Sequence, residues 1–267
     1  RCLVTGTDVE VHDRFDPAAV DRAAADGATL VSLVTRALTQ VRAEGFRRII
    51  IGGAAPPPDR PPNVIATYGM TETGSGVVYD RSPLEGLELS IATPTDDSPR
   101  IDSPLDDSGS RDWGSGDSGS GDWGSGEVLL RGPMLFRRYR HEPEPFVDGW
   151  FPTGDIGRFD DGLLTILGRR DDAIVTGGEK MWPARAEAIL GRLASVDEVA
   201  LVGRPDPDWG HRVVAVVVPA DPAKPPGLDV LQEAIVETLP LWYRPRDLEV
   251  RETLPKTSLG KIRRDEL

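Results

Sequence analysis

The chain has 267 residues, with 31 Lys or Arg against 44 Asp or Glu, and its formal net charge is −13. This length predicts one large domain or two smaller ones. The acidic balance argues against nucleic-acid binding, because a phosphate backbone requires a basic protein face.

Sequence features that would direct the chain to a membrane or a secretory route are not found. No run of about 18 apolar residues occurs, and no basic segment followed by an apolar one opens the chain, so we expect a cytoplasmic protein without a membrane span. The single cysteine, Cys2, excludes an intramolecular disulfide, and three scattered histidines give no clustered zinc pattern. The oligomeric state is left open.

The first predicted elements alternate between helix and strand. Residues 16–27 begin with Asp-Pro, continue with an alanine-rich run and end in Asp-Gly, which predicts a capped helix. Residues 29–34 and 47–51 are apolar and β-branched and predict strands, with a helix over 35–44 between them. This α/β pattern predicts part of a larger parallel sheet.

Residues 95–126 are composed mainly of Ser, Gly, Asp and Pro, and they carry two copies of Asp-Trp-Gly-Ser-Gly. Such a composition cannot form a hydrophobic core, so the segment is predicted to be a flexible, acidic insertion.

The remaining chain predicts two further structural parts. Residues 127–132 and 163–167 read as strands of a small β layer around Thr153 to Asp155. Beyond residue 168 the pattern is strand, helix, strand, strand, helix, strand, which predicts a compact α+β domain. Its elements are expected at residues 173–176, 183–193, 198–202, 213–218, 228–239 and 248–251. The predicted domain boundaries are 1–94, 95–126, 127–168 and 169–267.

Four glycine-containing segments carry hydroxyl, carboxylate or basic side chains in a fixed order. They are Tyr68–Gly74 (YGMTETG), Trp150–Asp155 (WFPTGD), Gly168–Lys180 (GRRDDAIVTGGEK) and Leu254–Ile262 (LPKTSLGKI). Each one alone is an ordinary turn. Together they resemble the signature of the adenylate-forming, AMP-binding enzymes, which include acyl-CoA synthetases, adenylation domains of peptide synthetases and luciferases. The resemblance implies a partial α/β large domain with a small β subdomain, followed by a mobile α+β C-terminal domain.

The resemblance implies a catalytic role for Lys261. Forming an acyl adenylate brings a carboxylate against the α-phosphate of ATP, so negative charge builds where two anions meet, and a preorganised cation stabilises that charge. The family uses a lysine at this position for that purpose. The competing reading is a solvated lysine in a C-terminal tail, since most lysines stay exposed.

Nucleotide and metal contacts are implied for two other motifs. Asp155 resembles the family's ribose ligand, a carboxylate that accepts from sugar hydroxyls, and Arg169 resembles its companion at ribose and phosphate. Thr71 and Glu72 match the positions that bind phosphate oxygens and Mg²⁺. The alternatives are a turn aspartate, a surface arginine and an exposed loop glutamate.

The implied site also includes several glycines and a tyrosine. Tyr68 and Gly69 precede the phosphate-binding residues, and Gly53 falls in a segment that resembles the lining of the acyl and adenine pocket. Gly177 and Gly178 fall where the family passes the pantetheine arm of coenzyme A. For these glycines a simple tight turn is the alternative.

Asp171 matches the residue about which the family's C-terminal domain rotates between adenylation and thiolysis.

Two departures from the family pattern are visible. The early Gly-rich loop with its lysine, which cradles the β- and γ-phosphates, is not found, so we expect an N-terminally truncated sequence that does not adenylate efficiently alone. Arg185 stands where the family usually has glutamate.

The substrate and the function class remain separate questions. Residues 76–80 and 83–86 are similar to o-succinylbenzoate–CoA ligases of menaquinone synthesis, and they are also compatible with medium-chain or aromatic acid–CoA ligases. The first hypothesis is an ATP-dependent acid–CoA ligase that uses Mg²⁺ and coenzyme A. The alternatives are an adenylation domain that loads a carrier protein and a non-catalytic fragment that binds nucleotide or acyl adenylate.

Overall fold

The computed structural model describes residues 5–57, 59–92, 124–257 and 262–267. The chain divides into two compact units: Arg1–Leu87 with Pro133–Arg137, and Glu88–Gly132 with Arg138–Leu267. All but the last three residues of the predicted 95–126 insertion lie outside the described residues. Across the described ranges, no helix has the length and apolar character needed to cross a membrane.

The first unit contains a mixed five-stranded sheet. Its elements are helix α1 (Pro17–Ala25), strand β1 (Leu30–Val34), helix α2 (Thr35–Leu38), and strands β2 (Arg48–Gly52), β3 (Val64–Gly69), β4 (Gly76–Tyr79) and β5 (Ser82–Pro83). The strands lie in the order β1-β2-β3-β4-β5; the first three are parallel, and β4 and β5 are antiparallel additions. The predicted cap is observed, because Ala18 N donates to the Asp16 carboxylate at 3.0 Å.

The core of this unit lies between the sheet and the helical segments. It is formed by Val20, Leu38, Ala43, Phe46, Ile49, Ile51 and Val64. The inward-facing residues Ile49 and Ile51 of β2 are separated by one position, as the two-residue period of a strand requires. The two predicted apolar runs form β1 and β2, and these strands pair in parallel as expected.

The predicted helix over residues 35–44 is wrong in its extent. The α-helix ends at Leu38, and a short 3₁₀ turn follows at Ala43–Gly45. The Thr39 hydroxyl donates to Arg36 O at 3.0 Å, in competition with the backbone, and Arg42 N donates to the Asp21 carboxylate at 2.8 Å. These contacts redirect the chain before a second helical turn can form.

The second unit contains two sheets. The first is antiparallel in the order β6-β7-β8-β9, formed by β6 (Glu88–Ala92), β7 (Gly126–Arg131), β8 (Phe151–Asp160) and β9 (Leu163–Arg169). The second sheet and its two helices are formed by β10 (Ile174–Thr176), β11 (Glu179–Met181), helix α3 (Pro183–Leu190), β12 (Val196–Asp206), β13 (Gly210–Pro219), helix α4 (Leu228–Val236) and β14 (Asp247–Val250). The strands lie in the order β11-β10-β13-β12, and β14 pairs in parallel with β13.

The second sheet is covered on both faces, which explains the nearly continuous apolar sequence of β13. Val213, Ala215 and Val217 belong to a core that includes residues of α3 and α4. Val214 and Val216 belong to a separate cluster with Leu254, against which Ile262 and Leu267 pack. A strand buried on both sides needs apolar residues at every position. Leu254, Ile262 and Leu267 therefore cover one face of this sheet.

Candidate functional site

The loop between β3 and β4 carries Thr71 and Glu72 in a 3₁₀ turn, Thr71–Thr73. Its geometry is fixed by the buried neighbour Thr73, whose hydroxyl accepts from Met70 N at 3.0 Å and donates to Ser75 O at 2.7 Å. The turn is also held at Glu72 O, which accepts from Phe136 N at 2.7 Å. Thr71 is exposed and Glu72 is half-buried. The loop is thus fixed by the Thr73 hydroxyl and by the backbone carbonyl of Glu72.

Gly69 is required by a close approach of two backbone segments. A Cβ atom there would lie 2.3 Å from Ser75 O and 2.6 Å from Gly76 Cα, distances that no side chain can adopt. The strand pairing also shifts between Tyr68 and Gly69. Tyr68 is half-buried on β3, and Gly53 is exposed directly after β2. These three predicted residues thus lie at the ends of neighbouring parallel strands, where ligands usually bind in α/β sheets.

Glu72 is the one residue predicted to bind Mg²⁺ through its side chain. Over the described part of the chain, no three His, Cys, Asp or Glu side chains are grouped to hold a metal ion. Mg²⁺ is commonly held by one or two carboxylates together with substrate phosphates and water. The Glu72 carboxylate in an accessible loop fits that mode, and it does not form a preassembled metal cage.

Asp155 and Arg169 lie directly opposite each other on the antiparallel strands β8 and β9. The Arg169 guanidinium donates to Asp155 Oδ1 at 3.2 Å and to Thr153 O at 3.0 Å. The Asp155 side chain is only 12% exposed, whereas that of Arg169 is 46% exposed. Asp155 N also donates to the Thr153 hydroxyl at 3.1 Å. The structure therefore brings together the two side chains predicted to bind ribose and phosphate.

Glu127 supports this pair and was not singled out from the sequence. Its carboxylate accepts from Gly154 N at 2.9 Å and from the Arg170 guanidinium at 2.8 Å. It thereby ties β7 to Gly154 of β8, directly before Asp155, and to the residue after Arg169. In the sequence, Glu127 is only the first residue of an apolar strand, so no local signal marked it.

The predicted hinge residue, Asp171, lies in a 3₁₀ turn, Arg170–Asp172, between β9 and β10. Its side chain is 83% exposed. Such a short turn with an exposed side chain is the kind of position that can absorb a change of backbone dihedrals. The structure describes one arrangement, so rotation remains a prediction.

Gly177 and Gly178 form the two-residue turn of the hairpin between β10 and β11, both with positive φ. A Cβ on Gly177 would lie 2.7 Å from the indole ring of Trp209, while nothing lies within 4 Å of a Cβ on Gly178. Packing therefore accounts for Gly177, whereas the space beside Gly178 is open.

Trp209 adds an exposed aromatic surface beside this turn. Gly177 N donates to Trp209 O at 2.9 Å, and the Arg246 guanidinium carbon lies 3.5 Å from the centre of a Trp209 ring. Trp209 as a whole residue is 40% exposed. A planar ring backed by a cation suits a planar, anionic ligand. Sequence reasoning missed both residues because they are 37 positions apart in an unremarkable context.

Lys261 lies outside the described residues, which end before it at Thr257 and resume after it at Ile262. Lys256 and Ile262 form an antiparallel bridge, and Arg263 N donates to Pro255 O at 2.9 Å. Burial acts to lower the pKa of Arg264, but its hydrogen bonds to Glu187 outweigh that effect and the pKa is raised. The described residues before and after the predicted catalytic lysine are therefore held within the second unit.

Arg185, the residue that departs from the family pattern, packs beside Tyr243. Its guanidinium carbon lies 5.5 Å from the centre of the Tyr243 ring, and Nη1 lies 3.4 Å from the phenolic oxygen. Tyr243 is fully buried. This position is therefore used for packing in the second unit.

Known proteins resemble this chain in sequence. Residues 185–261 match the AMP-binding enzyme C-terminal domain. A probable 2-succinylbenzoate–CoA ligase of Mycobacterium tuberculosis is 34% identical over 87% of this chain and 56% of its own length. A feruloyl-CoA synthase of an Amycolatopsis species is 32% identical over 99% of this chain and 56% of its own length.

Solved structures show the same fold. The o-succinylbenzoate CoA synthetase of Bacillus subtilis, in complex with its acyl-adenylate intermediate, has a TM-score of 0.80 and 27% identity over 99% of this chain and 56% of that one. The same enzyme in complex with ATP and a magnesium ion also has a TM-score of 0.80, with 26% identity over 100% of this chain and 57% of that one. The chain thus spans a little over half the length of the proteins it matches. By its ordered motifs, its fold and these relatives, the chain belongs to the adenylate-forming, AMP-binding family.

Proposed function

We propose that this chain acts within an ATP-dependent acid–CoA ligase, which forms an acyl adenylate and then an acyl-CoA thioester. The observation that carries the proposal is the Asp155–Arg169 pair, in which a mostly buried carboxylate and a half-exposed guanidinium face each other across two strands. This pair offers an acceptor for ribose hydroxyls and a donor for phosphate oxygens. The names of the relatives support the same reaction class.

In the first half-reaction, an oxygen of the substrate carboxylate attacks the α-phosphorus of ATP, the bond to the β-phosphate oxygen breaks, and pyrophosphate leaves. Lys261 offsets the negative charge that builds on the carboxylate and the α-phosphate. Thr71 donates to phosphate oxygens, and Glu72 would hold Mg²⁺, which when bound offsets the charge of the triphosphate. The turn held by Thr73 positions both residues.

In the second half-reaction, the thiol of coenzyme A attacks the acyl carbonyl carbon, the thiol proton is lost, and AMP leaves with the phosphate oxygen. Gly177 and Gly178 would pass the pantetheine arm, for which the open space beside Gly178 is available. Trp209 and Arg246 would receive a planar or anionic part of the same ligand. Rotation about Asp171 would exchange Lys261 for this surface at one reaction centre.

The substrate we propose is o-succinylbenzoate, with aromatic carboxylic acids as the broader class. The support comes from residues 76–80 and 83–86 and from relatives named for 2-succinylbenzoate and feruloyl-CoA. The acyl pocket of a whole enzyme would also include residues from the part of the relatives that this chain does not cover. A steady-state screen with o-succinylbenzoate, benzoates and fatty acids separates these candidates.

The decisive experiment is carboxylate-dependent exchange of pyrophosphate into ATP, measured on the 267-residue chain and on a polypeptide extended on its N-terminal side. The extended polypeptide should exchange and the shorter one should not. Replacement of Lys261 by Ala should lower exchange by about 10²- to 10³-fold, the usual effect of removing a group that stabilises a developing anion. The matched control is Lys224→Ala, because Lys224 is an exposed lysine of the same unit.

Exchange that survives Lys261→Ala undiminished would refute the role assigned to that lysine. Product analysis then tests the second half-reaction. Formation of acyl-CoA from free coenzyme A supports the ligase, whereas transfer only to a carrier protein supports a carrier-loading domain. Nucleotide binding without any exchange by the extended polypeptide would leave a non-catalytic binding role.

A further inference from the structure

A two-pronged ion pair joins the C-terminal turn to helix α3. The two terminal nitrogens of Arg264 lie 2.6 and 2.7 Å from the two carboxylate oxygens of Glu187. The side chains are 26% and 14% exposed, respectively. A paired arginine and carboxylate in this geometry gives orientation as well as attraction. We call this pair the clasp.

The clasp also seals the outer edge of strand β12. Leu201 N donates to Glu187 Oε1 at 2.7 Å, and Arg264 Nη1 lies 3.4 Å from Leu201 O. The two side chains therefore take the place of a neighbouring strand at this position, where Leu201 is fully buried. Removing Arg264 would leave a largely buried carboxylate with one backbone donor and no cation, so the tail would lose its orientation.

A second tie holds the chain before the predicted catalytic lysine. Lys256 Nζ lies 2.5 Å from the carboxylate of Glu198, which is also on β12. Residues 257–261 are thus bounded by Lys256 on one side and by Ile262 and the clasp on the other. Arg264 is three residues from Lys261, which is at most about 11 Å of extended chain. Arg263 is closer to that lysine, but it pairs with Glu266 in the same turn. Among the described residues on the C-terminal side of Lys261, the clasp is therefore the nearest ion pair that joins the tail to another element.

The clasp also neighbours the predicted hinge. Arg264 and Asp265 line a cleft of about 360 Å³ together with Asp171 and Asp172. Asp172 adds a favourable charge interaction with Arg264. The C-terminal turn and the hinge turn thus share one surface of the second unit.

We propose that Arg264 and Glu187 are positioning residues, which hold the C-terminal segment so that Lys261 reaches the reacting carboxylate and α-phosphate. The inference rests on the proposed function, because it assigns the effect to the half-reaction in which Lys261 acts. Thiolysis does not use Lys261. A positioning role therefore predicts loss of adenylation with little loss of thiolysis, whereas a general structural role predicts equal losses.

The test uses Arg264→Gln in the N-terminally extended polypeptide, with Arg263→Gln as the matched control. Arg263 carries the same charge one residue earlier, but it pairs with Glu266 on the surface. Pyrophosphate exchange should fall roughly ten- to a hundredfold with Arg264→Gln, because a displacement of about 1 Å at a reacting group costs up to 10²-fold. Conversion of supplied acyl adenylate to acyl-CoA should change less than about threefold, and the Arg263→Gln variant should retain both rates within about twofold.

A conservative change sharpens the result. Arg264→Lys keeps the charge but lacks the planar fork, so its exchange rate should fall between those of the wild type and Arg264→Gln. Equal losses in both half-reactions, or no loss in exchange, would overturn the proposal.

Hydrogen exchange of the Arg263 amide, which donates to Pro255 O, provides a readout independent of activity. It should speed up by about tenfold or more in Arg264→Gln, and unchanged protection would also overturn the proposal. If Lys261→Ala leaves pyrophosphate exchange unaffected while Arg264→Gln still speeds amide exchange, the proposed function fails and the anchoring of the tail stands.

Discussion

The two places where nucleotide-binding side chains are predicted are built in different ways. In the first unit, Thr71 and Glu72 lie on a turn whose shape is fixed by Thr73 and by the close backbone approach at Gly69. In the second unit, Asp155 and Arg169 contact each other directly across paired strands. In the first arrangement, Thr73 and Gly69 fix the shape of the turn that carries the predicted ligands. In the second arrangement, the hydrogen bond between the two predicted ligands itself links the strands.

This difference determines where each region is vulnerable to substitution. In the first region, replacing Gly69 or Thr73, which fix the turn, should damage folding, while replacing the side chain of a predicted ligand should leave the turn intact. In the second region, a substitution at a predicted ligand affects binding and the strand pair together, unless the new side chain keeps the hydrogen bond.

The largest effect is expected for Gly69→Ala. A Cβ at this position would overlap backbone atoms of Ser75 and Gly76, and backbone cannot move aside as a flexible side chain can. We expect a loss of about 3 kcal/mol in the free energy of unfolding of the first unit. Gly74→Ala is the control, because Gly74 has a φ of 68° but open space around a Cβ, and its cost should be about 1 kcal/mol.

The measurement can separate the two units. Residues 1–87 and 133–137 contain no tryptophan, whereas Trp150, Trp182, Trp209 and Trp242 belong to the second unit. Urea unfolding followed by far-UV circular dichroism should shift in Gly69→Ala, while the transition followed by tryptophan fluorescence should shift less. Equal destabilisation by Gly69→Ala and Gly74→Ala would contradict the close-approach argument.

An intermediate effect is expected for Asp155→Asn in the N-terminally extended polypeptide. Asparagine keeps an oxygen for Arg169 and loses the charge that strengthens a bond from a ribose hydroxyl. Affinity for AMP should fall by about 2 kcal/mol, or roughly thirtyfold, with little change in thermal stability.

The matched control for Asp155→Asn is Asp160→Asn. Asp160 lies on the same strand and pairs with Arg158 at the surface, so calorimetric titration with AMP should show unchanged affinity. An equal loss in the two variants would remove Asp155 from the binding site.

The smallest effect is expected at another cross-strand pair, Glu88 and Arg131, whose side chains are 43% and 40% exposed. The hydrogen bond from Arg131 holds the pKa of Glu88 below its ordinary value. A lowered folded-state pKa stabilises the protein above the unfolded pKa, about 4.3, and this contribution is lost as the pH falls through the folded value.

Thermal unfolding of Glu88→Gln tests this assignment. The variant should melt slightly below the wild type at pH 6, and the difference should shrink toward pH 3. A difference that grows in acid would contradict the sign.

Elements with strong local signals were predicted well from sequence. The capped helix at residues 17–25 follows from Asp16 and Pro17, and the strands and helices beyond residue 173 occur in the predicted order with one additional strand, β11. The prediction of a helix over residues 35–44 failed because Thr39 bonds back to the first helical turn and Arg42 N bonds to Asp21, which is distant in sequence. Helix propensity gives no information about such a contact.

Residues that act through neighbours were not predicted. Glu127 accepts from Gly154 N, directly before Asp155 on β8, and Glu187 accepts from both Arg264 and Leu201. In the sequence, each looks like an ordinary charged residue of a strand or helix. The partners of Glu187 are 14 and 77 positions away. Sequence periodicity identifies which face is apolar, and it does not identify which distant charge will meet a given carboxylate.

By itself, the sequence determined the order of the four motifs, the family and the types of side chain available for nucleotide chemistry, because these depend on residue identity and local spacing. Only the tertiary structure decided that Asp155 faces Arg169, that Gly177 makes room for Trp209 and that Arg264 anchors the segment after Lys261. Strand register and chain crossing bring these groups together, and both are set by burial of apolar surface over the whole unit.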